Sequence, residues 1–302
     1  MQVLFHGCHL WFNAAMKSKF KAVALVGKIT NPAIREHVLA LANFLDEHGI
    51  RVLIEQNTAH HLDVQGHPQV PIDDIGAHAD LAVVLGGDGT MLAVARGLVQ
   101  YDVPLVGVNK GRFGFLADLT TDSMLATLSG LLAGEYKQEQ RFLLGARVVR
   151  DGRMVSEGHA LNDVVVSKGE MARLIDLKLT IDGEFVHRQR SDGLIISTPT
   201  GTTAYALSAG GPILHPTLDA IALVPICPHT LSNRPFAINS GSCVEIALTQ
   251  AEDARVHFDG QLHAELQCGD KVVVQRLERT ITLLHLPQHS HYAMLREKLH
   301  WG

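Results

Sequence analysis

An unbroken apolar run, Leu81–Leu85, ends at Gly86-Gly87-Asp88-Gly89-Thr90, and a helical pattern follows at once. This join constrains the fold more than any other feature. A strand that is apolar at every position has to be covered on both faces, as in a parallel sheet flanked by helices. Further runs at 22–26, Arg51–Glu55 and 103–108 supply neighbouring strands. Between them Ile34, Val38, Leu41 and Leu45 recur at helical spacing, with Asn31 as the expected cap, Pro32 in the first position and Gly49 as the stop. A helix is predicted over about 91–99. Another, capped by Thr120 or Thr121, carries Met124, Leu125, Leu128, Leu131 and Leu132. Strands alternating with helices predict an α/β domain with a parallel sheet.

After about residue 141 the pattern changes. Asp151-Gly152 and Asp182-Gly183 each separate two strand-like runs, a hairpin signal. Ile175, Leu177, Leu179 and Ile181 alternate with polar residues, the period of a half-buried strand. Runs at 244–248, 256–258, 272–274 and 281–284 read as further strands, so the second region is β-rich and sandwich-like. A stripe of Tyr292, Leu295 and Leu299 predicts a terminal helix. The expected division is a leader over 1–20, an α/β domain over 21–140, a β-rich domain over 141–285, and a C-terminal segment over 286–302 returning to the first domain.

A net charge of −5 argues against a non-specific nucleic-acid binder, which needs a basic surface. The four cysteines, at 8, 227, 243 and 268, form no C-x-x-C pair, which favours a reducing, cytoplasmic setting over a disulfide framework. No apolar stretch is long enough for a membrane helix. His60-His61 and His289-x-His291 lack an H-E-x-x-H pattern and nearby cysteines. They read as solvated surface histidines, and no protein metal ligand is expected.

The glycine-rich join carries the chemistry. Glycines permit positive φ and close approach of backbone to a ligand, and a helix N-terminus suits a phosphate. Three tasks are open to Asp88: accepting a proton from an attacking hydroxyl, helping to hold a magnesium ion, or capping the helix. In the β-rich region Asn162-Asp163 is either an ordinary turn or an amide and carboxylate that read a base edge and sugar hydroxyls. Thr198-Pro199-Thr200-Gly201-Thr202-Thr203-Ala204-Tyr205 is either a plain connection with its hydroxyls bonded locally, or a binding loop. In the second case it offers hydroxyls, N–H groups and the flat face of Tyr205.

Gly86-Gly87-Asp88-Gly89-Thr90 resembles a signature shared by NAD kinases and by diacylglycerol and sphingosine kinases. The segment from Ser191 to Pro212 is similar to bacterial NAD kinases, as are 107–116, Asn162-Asp163, 228–232 and Asp259-Gly260-Gln261. The resemblance implies ATP-dependent phosphorylation of NAD on its adenosine ribose 2′-hydroxyl. Asp88 would be the proton acceptor. Gly87, Gly89, Asn162, Asp163, Arg173, Arg190, Asp192, Thr203, Ala204, Tyr205, Ala206, Leu207, Ser208 and Gln261 would bind the dinucleotide. It also implies Mg2+ or another divalent cation with ATP, and a homodimer or homotetramer. A lipid or sugar kinase with the same loop and a non-catalytic NAD-binding regulator are the alternatives.

Overall fold

The apolar runs of the first half become strands buried on both faces. In the computed structural model, residues 18–109, 114–117, 119–169, 173–230 and 232–301 are described. The first region contains β1 (Ala22–Gly27), α1 (Arg35–Glu47), β2 (Arg51–Glu55), α2 (Gln56–His61), β3 (Gln69–Val70), β4 (Leu81–Leu85), α3 (Asp88–Leu98), β5 (Leu105–Asn109), β6 (Leu119–Thr120) and α4 (Met124–Leu132). Strands β3-β2-β1-β4-β5 lie side by side and all pair in parallel. Alternation along β1 splits its side chains between two cores. Val23 and Leu25 face α1 and α4 through Val38, Leu41, Leu128 and Leu131, whereas Ala24 and Val26 face α3 through Met91, Val94 and Leu98.

The second region contains β7 (Lys137–Arg150), β8 (Arg153–Ala160), β9 (Asp163–Lys168), β10 (Ile175–Ile181), β11 (Glu184–Ser191), β12 (Gly193–Ser197), α5 (Tyr205–Ser208), β13 (Ala220–Ile226), β14 (Phe236–Asn239), β15 (Val244–Gln250), β16 (Ala254–Phe258), β17 (Leu262–Leu266), β18 (Lys271–His285) and α6 (His291–Leu299). An antiparallel sheet β14-β13-β12-β9-β16-β17 stacks on β7, β10, β15 and the first half of β18. Their inward residues, among them Leu144, Val164, Leu177, Leu194, Ile246 and Val274, form one sandwich core. At Asp151-Gly152 and Asp182-Gly183 both residues take positive φ (49° and 74°, 51° and 83°), as a two-residue hairpin turn with right-handed strand twist requires. Asp259-Gly260 also takes positive φ (53° and 64°), in the three-residue connection 259–261 from β16 to β17.

Several expectations are corrected. The runs 272–274 and 281–284 are one strand, not two. Val272 and Val274 sit in the sandwich core, while Ile281, Leu283 and Leu284 sit in the cores of the first region. The polar interval between them is where β18 crosses from one core to the other, and its pairing with β7 shifts register between Arg276 and Thr280. Leu283 then pairs in parallel with Leu105 of β5, so twelve strands form one continuous sheet through both regions. Asn31 precedes a short 3-10 turn, Pro32–Ile34, without a side-chain cap bond. Ser123, rather than Thr120 or Thr121, stands at the N-cap of α4. In α6 the buried pair is Met294 and Leu295, while Tyr292 is exposed. Among the described residues no helix is long and apolar enough to cross a membrane.

Candidate functional site

Helix α3 begins at Asp88, about one turn before its first apolar residues, with Gly87 as N-cap. The N–H groups of Thr90 and Met91 bond to the Gly87 carbonyl (2.9 and 3.2 Å). The Asp88 side chain makes no cap. Its two oxygens accept instead from the N–H groups of Phe115 and Leu116, at 3.0 and 3.1 Å. Two donors on a separate loop thus fix the carboxylate at the sheet's carboxyl edge, with lone pairs left over for an incoming hydroxyl.

The glycines of this loop serve close approach, not positive φ. None of Gly86, Gly87 and Gly89 has a left-handed backbone. A Cβ on Gly86 would lie 2.4 Å from the Thr90 hydroxyl, and one on Gly114 would lie 2.1 Å from an Asp88 oxygen. A Cβ on Gly87 would meet nothing within 4 Å, because Gly87 faces a cleft. That cleft, of about 430 Å³, is bounded by Lys28, Thr30, Glu55 and Asn57 on one side and by Gly87, Gly89 and Thr90 on the other. Glu55 is itself committed to capping α2, through the N–H groups of Asn57 and Thr58 at 2.8 and 2.7 Å.

A second cleft of about 390 Å³ lies in the β-rich region, lined by Asn162, Asp163, Ala204, Tyr205, His257 and Asp259. Asp163 is 4% exposed, and burial, with the nearby Asp259 charge, pushes its carboxyl up to about 7. Tyr205 is 46% exposed and presents its ring to the cleft. Burial, followed by the influence of Cys227, Asp192 and Asp163, pushes its phenol up as well. Burial and the neighbouring His263 and Arg255 lower His257.

The turn after β16 connects the two clefts. Gln261 donates from Nε2 to the Gly89 carbonyl at 2.7 Å, and its Oε1 accepts from Arg96 of α3 at 2.5 Å. The other arm of Arg96 pairs with the Asp259 carboxylate at 2.5 Å. Asp259 also accepts from the N–H groups of Leu161, Asn162 and Asp163 at 3.1, 2.7 and 3.2 Å. The helix that carries the glycine-rich loop is therefore bolted to the strand start that carries Asn162-Asp163. Arg96 was not among the expected residues. On α3 it is a single charged residue among apolar neighbours, and no local pattern marks it.

The threonine-rich loop is a scaffold for most of its length. Thr198, Thr200 and Thr202 are buried. Thr198 donates to the Leu161 carbonyl (2.6 Å), Thr202 donates to the Pro199 carbonyl (2.7 Å) and accepts from the Leu214 N–H (3.0 Å), and Thr200 accepts from Arg141 (2.9 Å). Their hydroxyls hold the loop in shape, and only Ala204 and Tyr205 reach the cleft wall. Thr203 bonds back to the Thr200 carbonyl. Ala206 is fully buried against Val165, Ile195 and Val224. Leu207 is half-buried and Ser208 exposed on the same short helix.

The structure does not bring every expected residue together. Arg173 is exposed and faces Glu252 at 3.7 Å. Arg190 lies on the sheet-edge strand β11 near Asp176, also at 3.7 Å. Asp192 pairs with Lys168 at 3.2 Å. Lys110, Gly111, Arg112, Phe113 and Leu231, parts of the quoted motifs, lie outside the described residues.

With this geometry in place, comparison with known proteins adds identity. The model for the ATP-NAD kinase N-terminal domain matches residues 23–136, and that for the C-terminal domain matches 161–286. The NAD kinase of Thiobacillus denitrificans is 54% identical over 95% of this chain and 99% of its own length. That of Aromatoleum aromaticum is 52% identical over 97% and 98%. Among solved structures, yeast NADH kinase complexed with NADH superposes with a TM-score of 0.86 at 26% identity, covering 93% of this chain and 88% of that one. An Archaeoglobus fulgidus NAD kinase in complex with ATP gives 0.72 at 26% identity, covering 92% and 98%. A glycine-rich loop with a fixed carboxylate, joined to a cleft on a β-sandwich and matched along nearly its whole length by such relatives, places this chain in the ATP-NAD kinase family.

Proposed function

We infer that this protein transfers the γ-phosphoryl group of ATP to the 2′-hydroxyl of the adenosine ribose of NAD, giving NADP. One observation carries the reading. The loop holding Asp88 and the cleft holding Asn162, Asp163 and Tyr205 are joined by the Arg96–Asp259–Gln261 contacts. A dinucleotide lying in the Tyr205 cleft can thereby present a sugar hydroxyl toward the loop.

Tyr205 offers a face for a base to stack on, and the Asn162 and Asp163 side chains offer polar contacts to base and sugar. The cleft beside Lys28, Gly87 and Thr90 would take the ATP phosphates, using the positive end of α3. The Asp88 carboxylate, oriented by Phe115 and Leu116, would accept the proton of the attacking hydroxyl. Placement of the hydroxyl against the terminal phosphorus would supply most of the acceleration, as in phosphoryl transfer generally. Gly89 would contact NAD beside it, and Thr203, through its backbone, would support Tyr205. Arg173 and Arg190, exposed on the β-rich region, would contribute to dinucleotide binding from outside the two clefts.

Mg2+ or another divalent ion would accompany ATP and neutralise charge on its phosphates. The oxygen donors at the loop, the Asp88 carboxylate and the Thr90 hydroxyl, suit an ion held mainly through phosphates and water. The same reading makes the protein cytoplasmic, supported by the free thiols Cys227, Cys243 and Cys268. It also makes it a homodimer or homotetramer, supported by exposed Phe185 and Val186 on the edge strand β11 and Leu262 on the edge strand β17.

The deciding experiment is incubation with NAD, ATP and magnesium, followed by detection of NADP. Diacylglycerol and fructose 6-phosphate serve as rival acceptors. NADP formation is expected. ATP consumption only with a rival acceptor, or NAD binding with no turnover, would overturn the assignment.

A further inference from the structure

The histidines read as solvated surface groups are the part of the chain that the proposed reaction leaves unexplained. His289 and His291 converge with two other histidines on the seam where β7 and β18 meet the start of α6. His285, on the last residue of β18, is 2% exposed. Its Nε2 lies 3.2 Å from Oε2 of Glu139 on β7. The His289 ring stacks on the His285 ring, with centroids 4.0 Å apart and planes at 20°. One donor atom from each of Glu139, His285 and His289 lies within 4.8 Å of the others.

These spacings approach those of a tetrahedral zinc site. With zinc–ligand bonds of roughly 2.0–2.1 Å, two ligand atoms stand about 3.3 Å apart, close to the separation of His285 Nε2 from Glu139 Oε2. The His289 donor atom lies within 4.8 Å of both. Two further histidines lie beside the start of α6. His291 has a buried Nε2 without a hydrogen-bond partner among the described residues. Its ring meets that of His215 edge-on, with centroids 5.0 Å apart.

Arg141 completes the arrangement. Its Nη2 donates to Glu139 Oε2 at 2.9 Å, and its Nη1 donates to the Thr200 hydroxyl at 2.9 Å. That is the same oxygen that faces His285 Nε2, so Arg141 fixes the position of the carboxylate. The guanidinium's positive charge opposes every dication here to a similar degree, so selectivity rests on the ligand types. A mixed imidazole and carboxylate set with a single acid suits a borderline transition metal rather than Mg2+ or Ca2+.

We propose that Glu139, His285 and His289 form a binding site for one Zn2+-class cation, with water completing the coordination. The site is distinct from both nucleotide clefts. It ties α6 to the β7–β18 ribbon that links the two regions, and through Arg141 it reaches the threonine-rich loop that carries Tyr205. An occupied site would clip the C-terminal helix in place.

The test uses the full-length, tag-free protein stripped with a chelator and titrated with Co2+. One equivalent should bind with the intense visible absorption of a tetrahedral ion, and Zn2+ should displace it. The thermal midpoint should rise with Zn2+ and not with Mg2+. His289→Ala, at a half-buried position, should weaken Co2+ binding by at least about tenfold and leave NADP formation unchanged. His285→Ala should do the same if it folds. A double His60→Ala, His61→Ala variant should bind as the parent does. Absence of stoichiometric tetrahedral Co2+, or equal affinity in His289→Ala, would overturn the proposal.

Discussion

Arg96 on α3 donates to the fully buried Asp259 carboxylate at 2.5 Å, across the boundary between the α/β region and the sandwich. Asp259 lies in a left-handed turn residue and gathers three backbone N–H groups besides. One ion pair thus sets the distance between the phosphate loop and the dinucleotide cleft. Removing one partner of a buried pair leaves an uncompensated charge. Arg96→Ala should therefore cost about 3–5 kcal/mol of stability, measured by denaturant unfolding. Arg96→Lys should recover part of the stability but not the bond to Gln261, because a single ammonium cannot fork to both acceptors. The KM for NAD should stay raised in that variant.

Asp88 is oriented by backbone, so its role can be probed from two sides. Asp88→Asn should lower kcat by roughly 10²–10⁴-fold, the usual contribution of a general base, with NAD affinity nearly unchanged. Gly114→Ala should produce a similar loss by a different route, since its Cβ would lie 2.1 Å from an Asp88 oxygen and displace the carboxylate. Steady-state kinetics on both variants checks this. Near-normal turnover in Asp88→Asn would remove the proton-acceptor role.

Tyr205 is half-exposed beside Asn162 and Asp163. Its replacement by Ala should weaken NAD binding by about 1–3 kcal/mol, the range for a base stacked on an aromatic ring. Tyr205→Phe keeps the ring and should bind within a few-fold of the parent. Calorimetric titration with NAD distinguishes the two, and equal affinity in Tyr205→Ala would exclude stacking.

Asp163 gives the pH dependence a defined sign. Its carboxyl is raised from 3.8 to about 7 in the fold by burial and by Asp259. Between those values the folded state holds more protons than the unfolded one, so stability falls as pH rises. The contribution of Asp163 is fully present below pH 3.8 and is gone above about 7. Asp163→Asn should flatten this slope, as read from unfolding midpoints across that range. An unchanged slope would show that the carboxyl ionises normally.

Thr202 tests the scaffold role of the threonine-rich loop. Thr202→Val deletes an acceptor for the Leu214 N–H and a bond to the Pro199 carbonyl. Leaving a buried N–H unsatisfied costs about 1–3 kcal/mol. Thr202→Ser should restore most of that loss. Thermal unfolding reports it, and a Val variant as stable as the parent would place the hydroxyl outside the loop's support.

Local information in the chain specified the elements. Apolar runs long enough for strands but too short for helices, with helical periodicity between them, made the parallel sheet legible. Asp151-Gly152 and Asp182-Gly183 marked hairpins because few other residues accept positive φ at both positions. Gly86 through Thr90 stood out because clustered glycines between a buried strand and a helix favour close approach of a ligand, whereas Asn162-Asp163 read equally as an ordinary turn and stood out only through the family resemblance. The helix that follows fixed where Asp88 would stand. Tertiary structure alone decided how these pieces meet. Arg96 and Asp259 are far apart along the chain, and neither breaks a local pattern, so only packing joins them. The two halves of β18 read as separate strands because the polar interval between them conceals a single strand that leaves one core and enters another. The Thr198, Thr200 and Thr202 hydroxyls could serve ligand or backbone equally well until the fold supplied their partners. Hydrogen bonding is short-ranged, and a sequence names the donors without saying which acceptors come within reach.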